Sequence, residues 1–142
     1  MLQKKPNKLY GQLNTYKVTE NGSKVAVIAE GSFFKLGQDV VTEFNKHGIK
    51  PTLINPRYLT GIDKTCLKNL EKNHQMVITL EDGELDGCFG EKITRFYGAS
   101  NMKVLNYGSF KEFTDRADVK ELYNRYHLAT EQIVKDVMAV LK

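Results

Sequence analysis

Hydrophobic residues along most of the chain fall into two patterns. Short apolar runs bounded by polar residues are typical of buried strands, whereas apolar residues that recur every three or four positions are typical of amphipathic helices. The two patterns alternate along the sequence. The apolar runs predict strands at residues 24–29, 50–55, 75–80 and 102–107, and the helical spacing predicts helices at 33–47, 63–73, 89–97, 118–126 and from Thr130 onward.

This alternation of strands and helices predicts the fold class. Helical segments between strands act as crossover connections, so the sheet is expected to be mainly parallel with helices on both faces. An additional extended segment, 15–20, precedes the first apolar run and is separated from it by Asn21-Gly22, a dipeptide typical of a type I′ turn. We therefore expect a hairpin whose first strand is antiparallel at the sheet edge. The predicted fold is a three-layer αβα sandwich with about five strands.

The first 14 residues differ from the remainder of the chain. Met1–Asn14 is polar, lacks periodicity and contains Pro6 and Gly11, so it is predicted to be a leader or interdomain linker before a single domain at 15–142. A length of 142 residues with 41% hydrophobic residues suits one compact domain.

Charge and hydropathy exclude several classes of partner. The net charge is +4, and the lysines are scattered rather than grouped with aromatic residues, which argues against a nucleic-acid surface. No apolar run approaches the roughly 20 residues of a membrane span. We predict neither a nucleic-acid nor a membrane partner.

The cysteines and histidines do not form a recognisable reactive or metal-binding motif. Cys66 and Cys88 lack CxxC or zinc-ligand spacing, and no signal peptide precedes them, so a reducing, cytoplasmic setting is expected. Cys66 is predicted to be a core residue. Cys88 is predicted to pack where a helix meets the sheet, because nearby carboxylates oppose a thiolate. His47, His74 and His127 each adjoin a predicted helix end, which favours solvated or capping roles.

An acidic, glycine-rich stretch, TLEDGELDGCFGEKI at Thr79–Ile93, connects a predicted strand to a predicted helix. An EF-hand loop that begins at Asp82 requires a bidentate glutamate at its twelfth position, where this chain has Ile93. The three glycines also lack the GxGxxG spacing of a dinucleotide loop. The stretch therefore predicts neither a calcium nor a dinucleotide site.

Candidate contacts lie in the loops after the strands, where parallel sheets usually bind their ligands. Arg57 follows a predicted strand and a proline, and its guanidinium suits a carboxylate or phosphate. A salt bridge to Asp63, or to an acidic residue of the acidic stretch, is an equal alternative. The residues alone show no complete catalytic constellation. The candidate interdomain or anion contacts are Arg57, Glu81, Asp82, Asp86, Gly87 and Gly90.

Three blocks of sequence carry a family resemblance. They are NPRYLTGID, VITLEDGELDGCFG and DRADVKELYNRYHLATEQI. Together they resemble the C-terminal domain of transketolase-like, thiamine-diphosphate-dependent enzymes, and most of all that of the 1-deoxy-D-xylulose-5-phosphate synthases. The resemblance extends from about Tyr10 to Lys142. The chain departs from the family pattern at Gly61, where a proline is usual, and at Asp86-Gly87-Cys88, where two glycines usually meet.

The resemblance implies a function for a longer parent enzyme. Such an enzyme would condense pyruvate with glyceraldehyde 3-phosphate and release CO2. It would bind thiamine diphosphate and Mg²⁺ through a GDG…N motif in one domain and use a glutamate from a second, and this chain has neither domain. The resemblance therefore implies no catalytic, cofactor-binding or metal-binding residue here.

The resemblance also implies partners, namely the parent's other domains and a second subunit. The domain would support dimer contacts and the packing of catalytic domains, with its acidic stretch facing a neighbouring domain or subunit. One alternative is the equivalent domain of a transketolase or a 2-oxoacid dehydrogenase subunit. Another is a free-standing module that binds a small anion or forms dimers.

Overall fold

The computed structural model describes residues 15–57, 61–84, 89–109 and 128–141, and the side chains of 82–84 and 109 are outside this description. The strands in these ranges are β1 (Lys17–Glu20), β2 (Lys24–Ala29), β3 (Thr52–Asn55), β4 (His74–Glu84) and β5 (Lys103–Ser109). The helices are α1 (Phe34–Lys46), α2 (Lys64–Leu70), α3 (Phe89–Phe96) and α4 (Thr130–Leu141), with a 3₁₀ turn at Gly31–Phe33 before α1. The predicted leader and the predicted helix at 118–126 lie outside the described residues.

The strands form one sheet in the order β1-β3-β2-β4-β5. Strands β3, β2, β4 and β5 are parallel, and β1 is antiparallel to β3. Ile28 in the central strand β2 pairs with Ile54 on one side and Thr79 on the other. The carboxyl ends of the four parallel strands therefore meet at one edge, called the carboxyl edge below.

Helices cover both faces of the sheet. One hydrophobic cluster joins the sheet to α1 and α4 through buried residues such as Val27, Val41 and Val137. A second cluster joins the opposite face to α2 and α3 through Ile28, Leu67 and Ile93 among others. The predicted three-layer αβα sandwich with an antiparallel edge strand is confirmed.

The predicted hairpin is wrong, because β1 pairs with β3 and not with β2. The β1–β2 connection crosses the start of β3, where Ser23 N–H donates to the Lys50 carbonyl at 2.9 Å and Gly22 N–H donates to Thr52 Oγ1 at 2.9 Å. A Cβ on Gly22 would lie 1.9 Å from the Lys50 carbonyl oxygen. Glycine is therefore required here for close backbone approach rather than for a hairpin turn.

Helix ends follow local chemistry. α1 is followed by His47 as its C-cap and by Gly48 at φ +78°, the left-handed conformation that glycine adopts most readily. Asp63 caps α2 by accepting a hydrogen bond from Cys66 N–H at 3.0 Å, and its other carboxylate oxygen accepts one from Tyr16 N–H at 2.8 Å. Asp63 thus ties the segment before β1 to α2.

Strand β4 is longer than predicted. It continues past Leu80 to Glu84, and its pairing with β5 shifts register between these two residues. The first four residues of the acidic sequence after Leu80 are therefore strand rather than loop. The sequence prediction ended the strand too early because an acidic residue such as Glu81 is typical of a loop. In the structure its side chain is buried beneath α3 and accepts a hydrogen bond there.

Candidate functional site: a buried polar network at the carboxyl edge

Two glutamates lie where the sheet connections diverge. After β2 the chain passes to α1 on one face, and after the neighbouring β4 it passes to α3 on the other. Ligand-binding crevices of parallel sheets open at such points. Glu30 follows β2, and its N–H donates to the Leu80 carbonyl at 3.1 Å. Glu81 follows Leu80 in β4, so it lies beside the point where the connections diverge.

Glu81 is the most deeply buried acidic side chain in the described part of the chain, with 2% of its surface exposed. Its Oε2 accepts a hydrogen bond of 2.6 Å from Gly90 N–H in the first turn of α3. The positive end of the helix dipole also favours a carboxylate at this place. Burial nevertheless raises the pKa of Glu81, and the charge of Glu30 acts in the same direction, while the hydrogen bond from Gly90 lowers it.

Further hydrogen bonds connect β4, β5 and α3 at this place. Thr79 Oγ1 donates to Asn106 Oδ1 at 2.7 Å. Asn106 Nδ2 donates to Thr94 Oγ1 at 2.8 Å, and Thr94 Oγ1 donates to the Gly90 carbonyl at 3.1 Å. Both ends of the Asn106 amide are therefore occupied, which fixes its orientation.

Gly90 is the residue on which these contacts converge. A Cβ at this position would lie 2.7 Å from Glu81 Oε2, 2.8 Å from Asn106 Oδ1 and 2.8 Å from Thr79 Oγ1. These three polar atoms are held by their own hydrogen bonds, so none can withdraw without loss. Only glycine lets α3 approach the sheet this closely. We call Thr79, Glu81, Gly90, Thr94 and Asn106 the carboxyl-edge network.

Arg57 is not part of the carboxyl-edge network. It is exposed after β3, and its Nη2 donates to the Thr15 carbonyl at 3.0 Å while its N–H donates to Asn55 Oδ1 at 3.0 Å. Asp63, the suggested ion-pair partner, instead caps α2. Arg57 also has φ +64°, an uncommon conformation for a residue other than glycine.

The other candidate residues lie partly outside the description. The backbone of Asp82 belongs to β4, but its side chain is not described, and Asp86 and Gly87 fall outside the described residues, as do Cys88 and His127. Sequence reasoning missed the roles of Thr79 and Thr94. Thr79 and Glu81 share one face of β4, so strand alternation identifies them as a pair once the full length of β4 is known.

The remaining predicted core and capping residues behave mostly as expected. Cys66 is partly buried against the cluster under α2 and α3. His74 is buried, and its Nδ1 bonds the Leu70 carbonyl at the end of α2 at 3.0 Å, which is a capping contact. Its Nε2 lies 2.8 Å from Thr52 Oγ1. Because a carbonyl can only accept, Nδ1 carries the proton and Nε2 accepts from the threonine.

The described residues do not fit a Mg²⁺–diphosphate group. Their His, Cys, Asp and Glu side chains include no group of three or more that could hold a metal ion. The sequence Glu81-Asp82-Gly83 followed by Asn106 resembles a GDG…N motif only superficially, because Glu81 replaces the first glycine. Glu81 and Asn106 are both hydrogen bonded within the carboxyl-edge network. In the part of the chain that the structure describes, no helix has the length and apolar character that crossing a membrane requires.

Comparison with known proteins identifies the family. The profile of the transketolase C-terminal domain matches residues 14–133. The chain belongs to this family. The 1-deoxy-D-xylulose-5-phosphate synthase of Clostridium tetani is 32% identical over 142 residues, which are 99% of this chain and 23% of that protein. The synthase of Clostridium beijerinckii is 30% identical over 125 residues, 87% of this chain and 20% of that protein.

Solved structures show the same fold. A split-gene transketolase, described as an inactive beta4 tetramer, superimposes with a TM-score of 0.80 at 19% identity and covers 90% of this chain and 42% of its own. The 2-oxoglutarate:ferredoxin oxidoreductase of Magnetococcus marinus gives a TM-score of 0.60 at 17% identity, covering 96% of this chain and 21% of its own. The chain thus spans about a fifth of the length of the synthases it matches. The family and fold predictions are confirmed.

Proposed function

We propose that this chain serves as the C-terminal domain of a 1-deoxy-D-xylulose-5-phosphate synthase-like transferase and is inactive alone. The observation that carries the proposal is the match of 99% of the chain to 23% of the Clostridium tetani synthase. The parent reaction would join pyruvate to glyceraldehyde 3-phosphate with loss of CO2, in the cytoplasm. Thiamine diphosphate and Mg²⁺ would be bound by the parent's other domains.

The carboxyl-edge network supports a structural role. In this network the polar side chains of β4, β5 and α3 bind one another. Glu81 and Asn106 both take part in these internal hydrogen bonds. Groups with fixed internal partners stabilise a surface more readily than they act on a substrate. The domain therefore presents a rigid carboxyl edge, against which catalytic domains and a second subunit would pack.

The contacts with those partners would come from the residues around this edge. Glu81 and Gly90 join β4 to the start of α3, so both elements that flank the connection between them are fixed. Asp82 lies in β4, and Asp86 and Gly87 belong to the connection. We assign Asp82 and this connection to an interface with a neighbouring domain or subunit. Arg57 is the candidate contact for an anionic group from the same neighbours, because its guanidinium is exposed.

A domain-replacement experiment tests the proposal. In the Clostridium tetani synthase, the matching C-terminal segment would be replaced by this chain, and formation of deoxyxylulose phosphate would be measured. We expect the chimera to be active and the truncated synthase to be inactive. The proposal fails if the chimera folds but is inactive, or if this chain alone makes the product or binds thiamine diphosphate with Mg²⁺ at micromolar concentration.

A parallel chimera distinguishes the alternative parents. Placing the chain in a transketolase, or in a 2-oxoacid dehydrogenase subunit, tests whether it supports those reactions equally well. Activity confined to the synthase chimera favours a synthase parent. Activity in the other chimeras and not in the synthase would assign the chain to those enzymes instead.

A free-standing anion-binding module is the second candidate, and the conformation of Arg57 favours it. A residue held at positive φ with an exposed guanidinium is a recognised pointer to a functional position. Saturable binding of a phosphate or carboxylate that Arg57→Ala abolishes would support this module. An unchanged melting temperature across a panel of such anions would exclude it.

A further inference from the structure

A groove lies between the edge strand β1 and helix α2, away from the carboxyl-edge network. Its volume is about 400 Å³, within the usual range of small-molecule sites. Tyr16 and Val18 line one wall and Asn69 lines the other. His74 is part of the lining and is fixed by its bonds to Leu70 and Thr52.

The described residues that line this groove are all uncharged. They are Tyr16, Val18, Asn21, Gly22, Thr52, Thr65, Cys66, Asn69, Leu70, Asn73 and His74, so the groove has a neutral lining on a chain in which 27% of residues are charged. Burial raises the pKa of Tyr16 to about 12 and that of Cys66 to about 11, so both are neutral near pH 7. An ion that entered would lose water without a compensating charge.

Unused hydrogen-bonding groups surround the groove. The side-chain amides of Asn21, Asn69 and Asn73 make no hydrogen bond with a described residue, and all three residues are exposed. Asn69 lies in the last turn of α2 and Asn73 in the turn that follows it, and both line the groove. Each amide offers an acceptor oxygen and two donor hydrogens.

We propose that this groove binds an uncharged sugar or polyol. The hydroxyls of such a ligand match the free amides of Asn69 and Asn73, because each hydroxyl both donates and accepts. The C–H faces of the ligand suit the apolar surface of Val18, which is 39% exposed, and of Leu70. A peptide strand suits the groove less well, because the register of β1 shifts between Val18 and Glu20 and interrupts a regular edge. This proposal is independent of the parent reaction.

The test is an NMR titration of the isotope-labelled full chain with xylitol and with D-glucose. Side-chain amide signals of asparagine are observed directly, so the binding residues report on themselves. We expect saturable shifts of the Asn69 and Asn73 amides at millimolar ligand, with no shift of Asn101, an exposed asparagine outside the groove. The absence of saturable shifts with either ligand overturns the proposal. Equal or tighter binding of glucose 6-phosphate also overturns it, because the site would then be an anion site.

Matched variants separate binding from folding. Asn69→Ala and Asn73→Ala remove both the donor and the acceptor of the amide, so each is expected to weaken binding about fivefold, by the loss of one hydrogen bond. Asn101→Ala is the control and should bind as the wild type does. Unchanged affinity in both groove variants would contradict the proposal.

Discussion

The Gly90 N–H group donates a hydrogen bond of 2.6 Å to a carboxylate oxygen of Glu81, which joins the start of α3 to the carboxyl-edge part of β4. The glutamate is buried, and a Cβ on Gly90 would come within 2.7 Å of the same oxygen. The short contact therefore depends on both residues, since the carboxylate needs a donor and the donor needs room.

Gly90→Ala should destabilise the domain by about 1–3 kcal/mol, the usual cost of overpacking. The new Cβ would press on Thr79, Glu81 and Asn106 together. Urea unfolding at pH 7 measures the effect. Gly98→Ala is the matched control, because the nearest atom to its new Cβ is a backbone oxygen at 3.4 Å. Equal stability of the two variants would show that the contacts around Gly90 yield without cost.

Glu81→Gln should remove a pH dependence and preserve the fold. Burial raises the folded pKa of Glu81 above its ordinary value of 4.5, so the protonated form suits the fold better than the carboxylate. Ionised Glu81 thus lowers stability at neutral pH, and stability is regained as pH falls through the folded pKa toward 4.5. Glutamine keeps an acceptor for Gly90 N–H, so we expect equal or greater stability at pH 7.

The measurement is the free energy of unfolding of wild type and variant from pH 7 down to 4.5. The difference between the two curves should shrink or reverse as pH falls. Glu81→Ala is the second variant, and it should cost about 1–3 kcal/mol because it leaves Gly90 N–H without its acceptor. A constant difference between wild type and Glu81→Gln across the pH range would contradict a raised pKa.

His74 should give the opposite pH dependence. Burial lowers its folded pKa below the ordinary value of 6.5, and its Nε2 accepts from Thr52 only when neutral. The unfolded chain therefore binds the proton first, and stability that is complete above pH 6.5 is lost as pH falls toward the folded pKa. His74→Gln should unfold with a flatter pH profile in this window.

Thermal melting between pH 7.5 and 5.5 is a suitable measurement, spanning about one unit on each side of the ordinary histidine pKa. His47→Gln is the control, because His47 lies at the exposed end of α1 with about half of its side chain accessible. If His47→Gln flattens the profile and His74→Gln does not, the assignment to His74 is wrong.

Local sequence patterns predicted most of the fold. Strand β2 and the part of β4 at 76–80 are covered on both faces, so nearly all of these residues are apolar and the runs at 24–29 and 75–80 identify them directly. The helical spacing of Phe89, Ile93 and Tyr97 likewise matches their burial on one face of α3 and the turn after it. These patterns are set by neighbours close in sequence.

Features set by distant contacts were not predictable in the same way. Asn21-Gly22 has the composition of a hairpin turn, but β3 enters between β1 and β2, and no local pattern encodes that insertion. Glu81 resembles the start of a loop because the N–H that satisfies its carboxylate lies nine residues away. In both cases, the predicted hairpin and the early end of β4, a polar or flexible residue takes its conformation from a contact with a distant part of the chain.

Gly22→Ala should destabilise the domain more than Gly90→Ala does. Its Cβ would meet backbone atoms of Lys50 and Pro51 at 1.9–2.6 Å, and backbone cannot rotate away as a side chain can. The hydrogen bonds from Gly22 to Thr52 and from Ser23 to Lys50 should be lost together. Amide hydrogen exchange should show reduced protection at β1 and the start of β3, and unaltered exchange there would contradict the crossing.

Arg57 offers a test of interdomain contact that leaves the fold intact. Arg57→Gly relieves a positive φ, worth about 1–2 kcal/mol, and loses an exposed hydrogen bond to the Thr15 carbonyl of about 0.5–1.5 kcal/mol. These effects offset one another, so the melting temperature of the domain should change little. In the synthase chimera, Arg57→Gly should lower activity if the guanidinium binds an anionic group of another domain.

Arg57→Lys is the matched variant, because it keeps the positive charge and loses the planar fork. Activity that falls with glycine and is partly restored by lysine would indicate a charge contact, whereas loss in both variants would indicate bidentate recognition. Full activity of both chimeras would remove Arg57 from the interface, because its charge and its guanidinium geometry would both be dispensable there.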